Sequence, residues 1–256
     1  MISSSPNRRR SLLAWLAGVG LSAGPAQSVE AERMAVISLL GDQVTLVYAA
    51  AVTGSHLDRN RRRVLPDTSG ALDRAALAAA GRAIEKARRG AHVALLAVPP
   101  STAHQQGEAF VQGDVISLPD SLVSALEQSG ASQLLLLTKL RAPAHIKLAD
   151  AAVGVGQLEG LGYYVDRAIH LREQNTGDQS DGMLVAYAYV QLTLADARTG
   201  QVLRRQGLRA TQVHTATARP DVGDPWDLLD AQQKAGHLRS LLERQLAREI
   251  PALLAA

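Results

Sequence analysis

The residue types that carry acid–base, nucleophilic or metal chemistry are thinly spread along this chain. Its histidines are His56, His92, His104, His145, His170, His214 and His237. None stands four residues from another on an expected helix, so a helical two-histidine metal motif is excluded. The chain has no cysteine, which removes disulfides, thiolate ligands, thiol nucleophiles and cysteine-linked lipid anchors together. His56 and Asp58 are close in sequence. Two local side chains do not close a ligand set, so they read as a surface pair. No catalytic residue, metal site or cofactor is expected.

Two glycine-containing blocks bear on catalysis and phosphate binding. Gly113-Asp114-Val115-Ile116-Ser117-Leu118 has the residue types of a serine-esterase block. Its serine is displaced and no aspartate–histidine pair follows to orient a base, so it reads as a turn before a helix. Gly154-Val155-Gly156-Gln157-Leu158-Glu159-Gly160 lacks the spacing of a dinucleotide loop and leads into a strand. No helix N-terminus would meet a phosphate there, and a flexible loop or bulge is expected.

What remains is the chemistry of recognition. Arg59, Arg61, Arg62 and Arg63 are the densest charge outside the first residues. They suit contact with anionic lipid headgroups, a cell-wall polymer or an acidic protein face. The alternative is an exposed loop kept soluble by charge. Tyr163, Tyr164, Tyr187 and Tyr189 are four of the five tyrosines. A tyrosine offers a large rigid surface with a polar tip, which suits a partner-binding face. If helices cover that face, the rings are core instead.

These residues are positioned by an expected α+β domain. Residues 34–40 and 43–50 read as strands joined at Gly41-Asp42 into a hairpin. Thr53–Gly70 reads as a loop. A helix over 71–89 stops at Gly90, and a strand runs over 92–98. A second helix starts near Pro119 and ends at Gly130. The leucine-rich run 132–140 reads as a strand covered on both faces. Strands follow at 161–172, 183–197 and 201–212. On 183–197, Ala186, Ala188, Val190, Leu192 and Leu194 face one way, and Tyr187, Tyr189, Gln191 and Thr193 the other. Arg204, Arg205 and Arg209 give the last strand a solvated face. The final helix takes Asp224 as N-cap and Pro225 at N1, and ends at Pro251. The order is β-β-α-β-α-β-β-β-β-α, a mixed and largely antiparallel sheet with about three helices.

The 256 residues carry 27 basic and 24 acidic side chains, and the isoelectric point is near 9.4. The surplus sits at one end. Arg8, Arg9 and Arg10 precede the apolar run Leu12–Ala23, and small residues follow to Ser28. That is the layout of a signal peptide, 1–28, with cleavage after Ser28 or Ala31. The paired arginines also suit a twin-arginine signal. The run of about a dozen residues is short of the roughly 20 that span a bilayer. Without residues 1–28 the chain holds 24 basic and 24 acidic groups, so the exported domain 29–256 has no cationic excess for nucleic acid. A periplasmic or secreted location is expected.

The opening strands, the helix leading into Ser132–Leu140, and the stretch Tyr189–Val202 with its Asp196-Ala197-Arg198-Thr199-Gly200 turn resemble one exported group. It is the α/β domain shared by the curli-secretion lipoprotein and the outer-membrane activators of penicillin-binding proteins. The chain departs from the group in lacking the anchoring cysteine, and in having Thr138-Lys139-Leu140 where a glycine is usual. The resemblance implies partner binding and carries over no active-site residue. The expected function is a non-catalytic envelope protein acting by protein–protein contact. An envelope hydrolase with a dispersed site, or a small-ligand or lipid carrier, is the alternative. A hydrolase would show converging His and Asp/Glu in a pocket. A carrier would show an apolar cavity of a few hundred Å³.

Overall fold

Alternating and continuous apolar runs between residues 33 and 215 build one nine-stranded sheet. The computed structural model describes residues 32–40, 43–50, 58–66, 70–98, 110–149, 151–172, 177, 179–215 and 223–255. The expected signal 1–28, the Gly41-Asp42 turn and His56 lie outside them. In chain order the strands are β1 (Arg33–Ser38), β2 (Gln43–Tyr48), β3 (Arg61–Pro66), β4 (His92–Leu96), β5 (Val111–Gln112), β6 (Val115–Ile116), β7 (Gln133–Lys139), β8 (Arg141–Pro143), β9 (Ile146–Lys147), β10 (Ala152–Val153), β11 (Gln157–Arg172), β12 (Gln179–Asp196) and β13 (Val202–Thr215). The helices are α1 (Ala71–Ala87), α2 (Asp120–Ser129) and α3 (Ala231–Ala255), with a 3-10 turn at Pro225–Leu228. The fold is α+β, with three α-helices among the described residues and a mixed, mostly antiparallel sheet. Six short strands (β3, β5, β6, β8, β9 and β10) are additional to the expected order.

The sheet is organised by β12. One of its sides pairs with β13 from Met183 to Ala195. The other side is shared end to end by β11, which reaches Tyr189, and β7, which takes over at Val190. Two arms leave from there. In one, β7, β1 and β4 run parallel. In the other, β11 pairs in parallel with β2, whose far side pairs antiparallel with β3.

The expected hairpin of the first two strands does not form. Following the pairings, β1 and β2 run in the same direction and lie in different arms. The reason is burial. Met34, Val36 and Leu40 belong to one core cluster, and Ala35, Ile37 and Leu39 to another on the opposite face. A strand apolar on both faces belongs inside a covered sheet, between two neighbours. The expected loop at 53–70 also holds a strand, β3. Its arginines suit an edge, where charge is tolerated and discourages further pairing.

Both faces of the sheet are covered. α1 and α3 lie over Val36, Leu135, Ala186 and Val190. Across the sheet, α2 and the β5–β6 ribbon place Leu126, Phe110 and Ile116 on Ile37, Leu134 and Leu136 of the first arm. The β8–β10 segment places Ala142 and Ile146 on Val47, Tyr164 and Tyr187 of the second. The leucine run of β7 is thereby buried alternately on each side, as its composition requires.

The C-terminal helix also departs from expectation. Asp224 does cap a turn, its Oδ1 accepting from Trp226 N at 3.0 Å, but that turn is 3-10 and α3 begins later. Pro251 does not end α3. An interior proline costs about 3 kcal/mol. Beyond it Leu253 and Leu254 are buried, and two buried leucines contribute about 4 kcal/mol. Arg204 Nη1 and Arg88 Nη2 then donate to the carbonyls of Leu253 and Leu254, at 3.0 and 3.3 Å. Cations there also complement the helix dipole.

Gly162 sits where β11 passes closest to β2. A Cβ at this position would collide with Thr45 O and the Tyr187 hydroxyl. Both are fixed, since Tyr187 Oη donates to Thr45 O at 3.1 Å. Gly162→Ala is expected to lower unfolding free energy by about 3 kcal/mol in denaturant melts. A loss under about 0.5 kcal/mol would show that the arms separate easily.

Candidate functional site

The four tyrosines are in the core. Each is 0–1% exposed, so they do not form the accessible partner face that their clustering allowed. Neighbouring residues of a strand face opposite ways, and Tyr163 and Tyr164 are divided accordingly. Tyr163 points to the helices, meets Trp226 edge to face at 5.7 Å, and donates to Lys234 O at 2.6 Å. Tyr164, Tyr187 and Tyr189 share the other face under β8–β10. Tyr164 Oη accepts from Val155 N at 3.2 Å, and Tyr189 Oη accepts from His145 N at 3.1 Å. A buried phenol needs such a partner. Burial pushes the Tyr164 phenol up to about 12 and Tyr163 and Tyr187 up further, so none ionises near neutrality.

The arginine cluster divides into two roles. Arg62 Nη2 donates to Asp58 Oδ2 and to Gln157 O at 2.9 Å. Asp58 also accepts from Asn60 N and Gln157 N, both at 3.1 Å. Partial burial opposes ionisation of Asp58, but the Arg62 and backbone donors prevail and hold its carboxyl below the usual range. Asn60 extends the knot, donating to Val155 O at 2.6 Å and accepting from Ala50 N at 3.0 Å. The knot needs Gly156, whose φ is +75° and whose Cβ would collide with Asp58 and Asn60. The glycine-rich stretch is therefore the packed seat of this junction, and not a flexible loop. Asp58 is committed to it. Arg61 and Arg63 lie opposite Tyr48 and Leu46, so they are on the helix side of β3, away from the knot. Both are exposed, as is Arg59.

A groove of about 480 Å³ lies between α2 and the β12–β13 turn. Ile116, Leu118, Val123, Leu126 and Leu134 supply its apolar wall, with Glu127 and Asp196 on the polar side. Asp196 is part of the turn. Its Oδ1 accepts from Thr199 N at 2.8 Å, from Thr199 Oγ1 at 2.9 Å and from Arg198 N at 3.0 Å. Those bonds, the two from Thr199 first, hold its carboxyl below the usual range. Among the described residues no histidine lines the groove. Elsewhere Ser38, at the end of β1, donates to Asp73 in the first turn of α1, and Leu40 N joins it at 3.1 Å. That contact ties a strand end to a helix start. Among the described residues no three His, Asp or Glu side chains are grouped to hold a metal, and no helix is long and apolar enough to cross a membrane. Sequence reading passed over the groove because its wall is assembled from separate elements. Its one local signal was exposed Val123 on α2.

The chain matches no protein-family model and no curated protein in sequence. Several solved structures share a distant likeness. One is described as a neuraminyllactose-binding hemagglutinin homolog of Helicobacter pylori, with TM-score 0.42, 6% identity, and 87% of this chain and 82% of that one covered. PelC of Paraburkholderia phytofirmans, a dodecamer in its crystal, has TM-score 0.30 and 13% identity over 87% and 88%. Protein XCC0632 of Xanthomonas campestris, of the family DUF330, has TM-score 0.30 and 10% identity over 87% and 84%. Likenesses of this size carry no function across to this chain.

The division of the arginines has a direct consequence. Arg61→Ser with Arg63→Ser should change stability by no more than about 0.5 kcal/mol. Arg62→Ser should cost about 1 kcal/mol, since its ion pair is partly solvated. Equal losses in thermal melts of the two variants would contradict the knot. Tyr187→Ala should cost about 4 kcal/mol, the scale for a buried ring. An unchanged melting temperature would place that ring at the surface.

Proposed function

We propose that this chain is an exported, non-catalytic protein of a bacterial envelope that acts through protein–protein contact. The leader pattern of residues 1–28 supports the location. The reading of the contact rests on the outer side of β13. Among the described residues, β13 pairs with β12 alone, apart from a single bridge from Val115 to Gln201 just before it. From Leu203 to Val213 that leaves a strand edge with no described strand paired to it. Such an edge offers unpaired N–H and C=O groups to an added strand. Leu203 is 49% exposed, and Arg205, Gly207 and Arg209 are exposed along the same strand. β13 carries no carboxylate, and while Arg204 is turned to α3, Arg205 and Arg209 are exposed on the other face, so an incoming strand with acidic side chains suits it. The resemblance to the curli-secretion and penicillin-binding-protein-activator domain supports the same reading, although its opening hairpin is missing here.

The groove beside α2 favours a second reading, a carrier of a small apolar group. Its volume is in the range of ligand pockets, and its wall is mainly aliphatic.

A photo-activated cross-linker at position 203 in the exporting cell tests the first reading. It should capture one discrete partner, whereas the same group at Glu85, exposed on α1, should not. Arg209→Glu should reduce that capture about tenfold without moving the melting temperature. Equal capture from 203 and 85 would place the contact elsewhere. Saturable binding of a fluorescent fatty acid, abolished by Leu126→Glu, would favour the carrier.

A further inference from the structure

We propose that His214 and His237 form an acid-sensitive latch, in which a proton on either ring releases the first half of α3 from β13. The two imidazoles, one on each element, meet edge to face with centroids 4.5 Å apart. Around them runs a directional relay. Arg244 Nη2 donates to Gln212 Oε1 at 2.9 Å, and Gln212 Nε2 lies 3.2 Å from His237 Nδ1.

The direction is forced from one end. A guanidinium has donors only, so Gln212 must turn its oxygen to Arg244 and its NH₂ to His237. His237 Nδ1 must then be the acceptor and carry no proton. A proton there would put donor against donor, and turning the amide would move the same conflict to Arg244. His214 is constrained differently. Among the described residues its buried Nε2 has no hydrogen-bond partner, so a proton on it finds nothing there to bind. Burial first, and His237 second, hold His214 down at about 4.

The surrounding charges offer no relief. On β12 the residues opposite His214 and Gln212 are Leu184 and Ala186, which are uncharged. On α3 the nearby cations are Arg244 and Lys234. Lys234 is turned to the Trp226 ring at 4.0 Å and donates to Leu229 O. Asp227 and Asp230, at the preceding turn, act on Lys234. Among the described residues no carboxylate is bonded to either imidazole. A first proton therefore meets a neighbouring ring and a guanidinium, and the contact opens. What it covers is the apolar stripe that begins at Leu238 and Leu241.

The sign of the effect follows. The unfolded chain takes up a proton at His214 near pH 6.5, which the folded chain resists until about 4. Stability is full above 6.5 and falls as pH drops toward 4. The lowered carboxyls of Asp58 and Asp224 start to cost stability only in stronger acid. Comparing pH 7.5 with pH 5.0 thus isolates the imidazoles.

Amide hydrogen exchange on the full chain, corrected for intrinsic rates, reads the latch directly. Protection over 233–241 should drop at least tenfold between pH 7.5 and 5.0, while β7 stays protected. In Gln212→Glu a carboxylate accepts from both Arg244 and a protonated His237 while His214 is left as it was, so the drop should shrink about threefold or more without being lost. In His214→Phe the drop should shrink about threefold or more. Unchanged wild-type protection at pH 5.0, or an undiminished drop in both variants, would overturn the latch.

Discussion

A strand buried on both faces and longer than its neighbours must be completed by more than one partner on a side. β12 is that strand, with 18 residues. β13 follows almost all of one side, and on the other β7 ends where β11 begins. The join is a weak point by nature, because two strand ends leave backbone groups unpaired. It is closed by Leu140 N donating to Tyr189 O at 3.0 Å and Gly160 N donating to Leu140 O at 3.4 Å. Gly160, at φ +64°, lies against the Lys139 side chain, and only a residue without Cβ enters that turn at no cost.

The two arms explain the split cover on the face away from α1 and α3. One helix cannot lie along both arms, so α2 with β5–β6 covers one and β8–β10 the other. The second cover is short and has few apolar side chains of its own. The tyrosines compensate from beneath, since each fills volume and also bonds the backbone above or beside it. Tyr164 and Tyr189 hold the covering segment, while Tyr187 reaches across to β2. Their polar tips serve the fold inward, where a surface reading would have turned them outward.

Much of this was legible locally. The two faces of 183–197, the both-sides burial of 132–140 and the first two helices follow from periodicity and stop signals, while the third follows from its leucine spacing but begins later and runs past Pro251. What escaped depends on distant pairs. β1 is apolar on successive residues and buried on both faces, and β7, the neighbour that helps place it inside the sheet, lies about a hundred residues later. Arg61–Arg63 look like loop composition until β2 supplies an edge. The role of Gly156 is set by Asp58 and Asn60, far upstream. Little of the candidate surface was legible. The arginines of β13 were read as solvated, but an open edge is a property of the whole sheet. His214 and His237 are joined only by the packing of α3.

The charge on β13 also narrows what can lie beside it. A second copy pairing antiparallel about Gly207 would set Arg205 of each chain against Arg209 of the other. Like charges directly opposite are destabilising, and two such pairs would flank the centre of the ladder. Sliding the register to avoid them gives up pairing along a 14-residue strand. The same arginines that suit an acidic strand thus disfavour self-association. β3 uses arginine similarly on an edge less than half as long, with Arg62 diverted into the knot. Among the described residues this edge is long and cationic, and the like charges about Gly207 disfavour a second copy of the chain beside it.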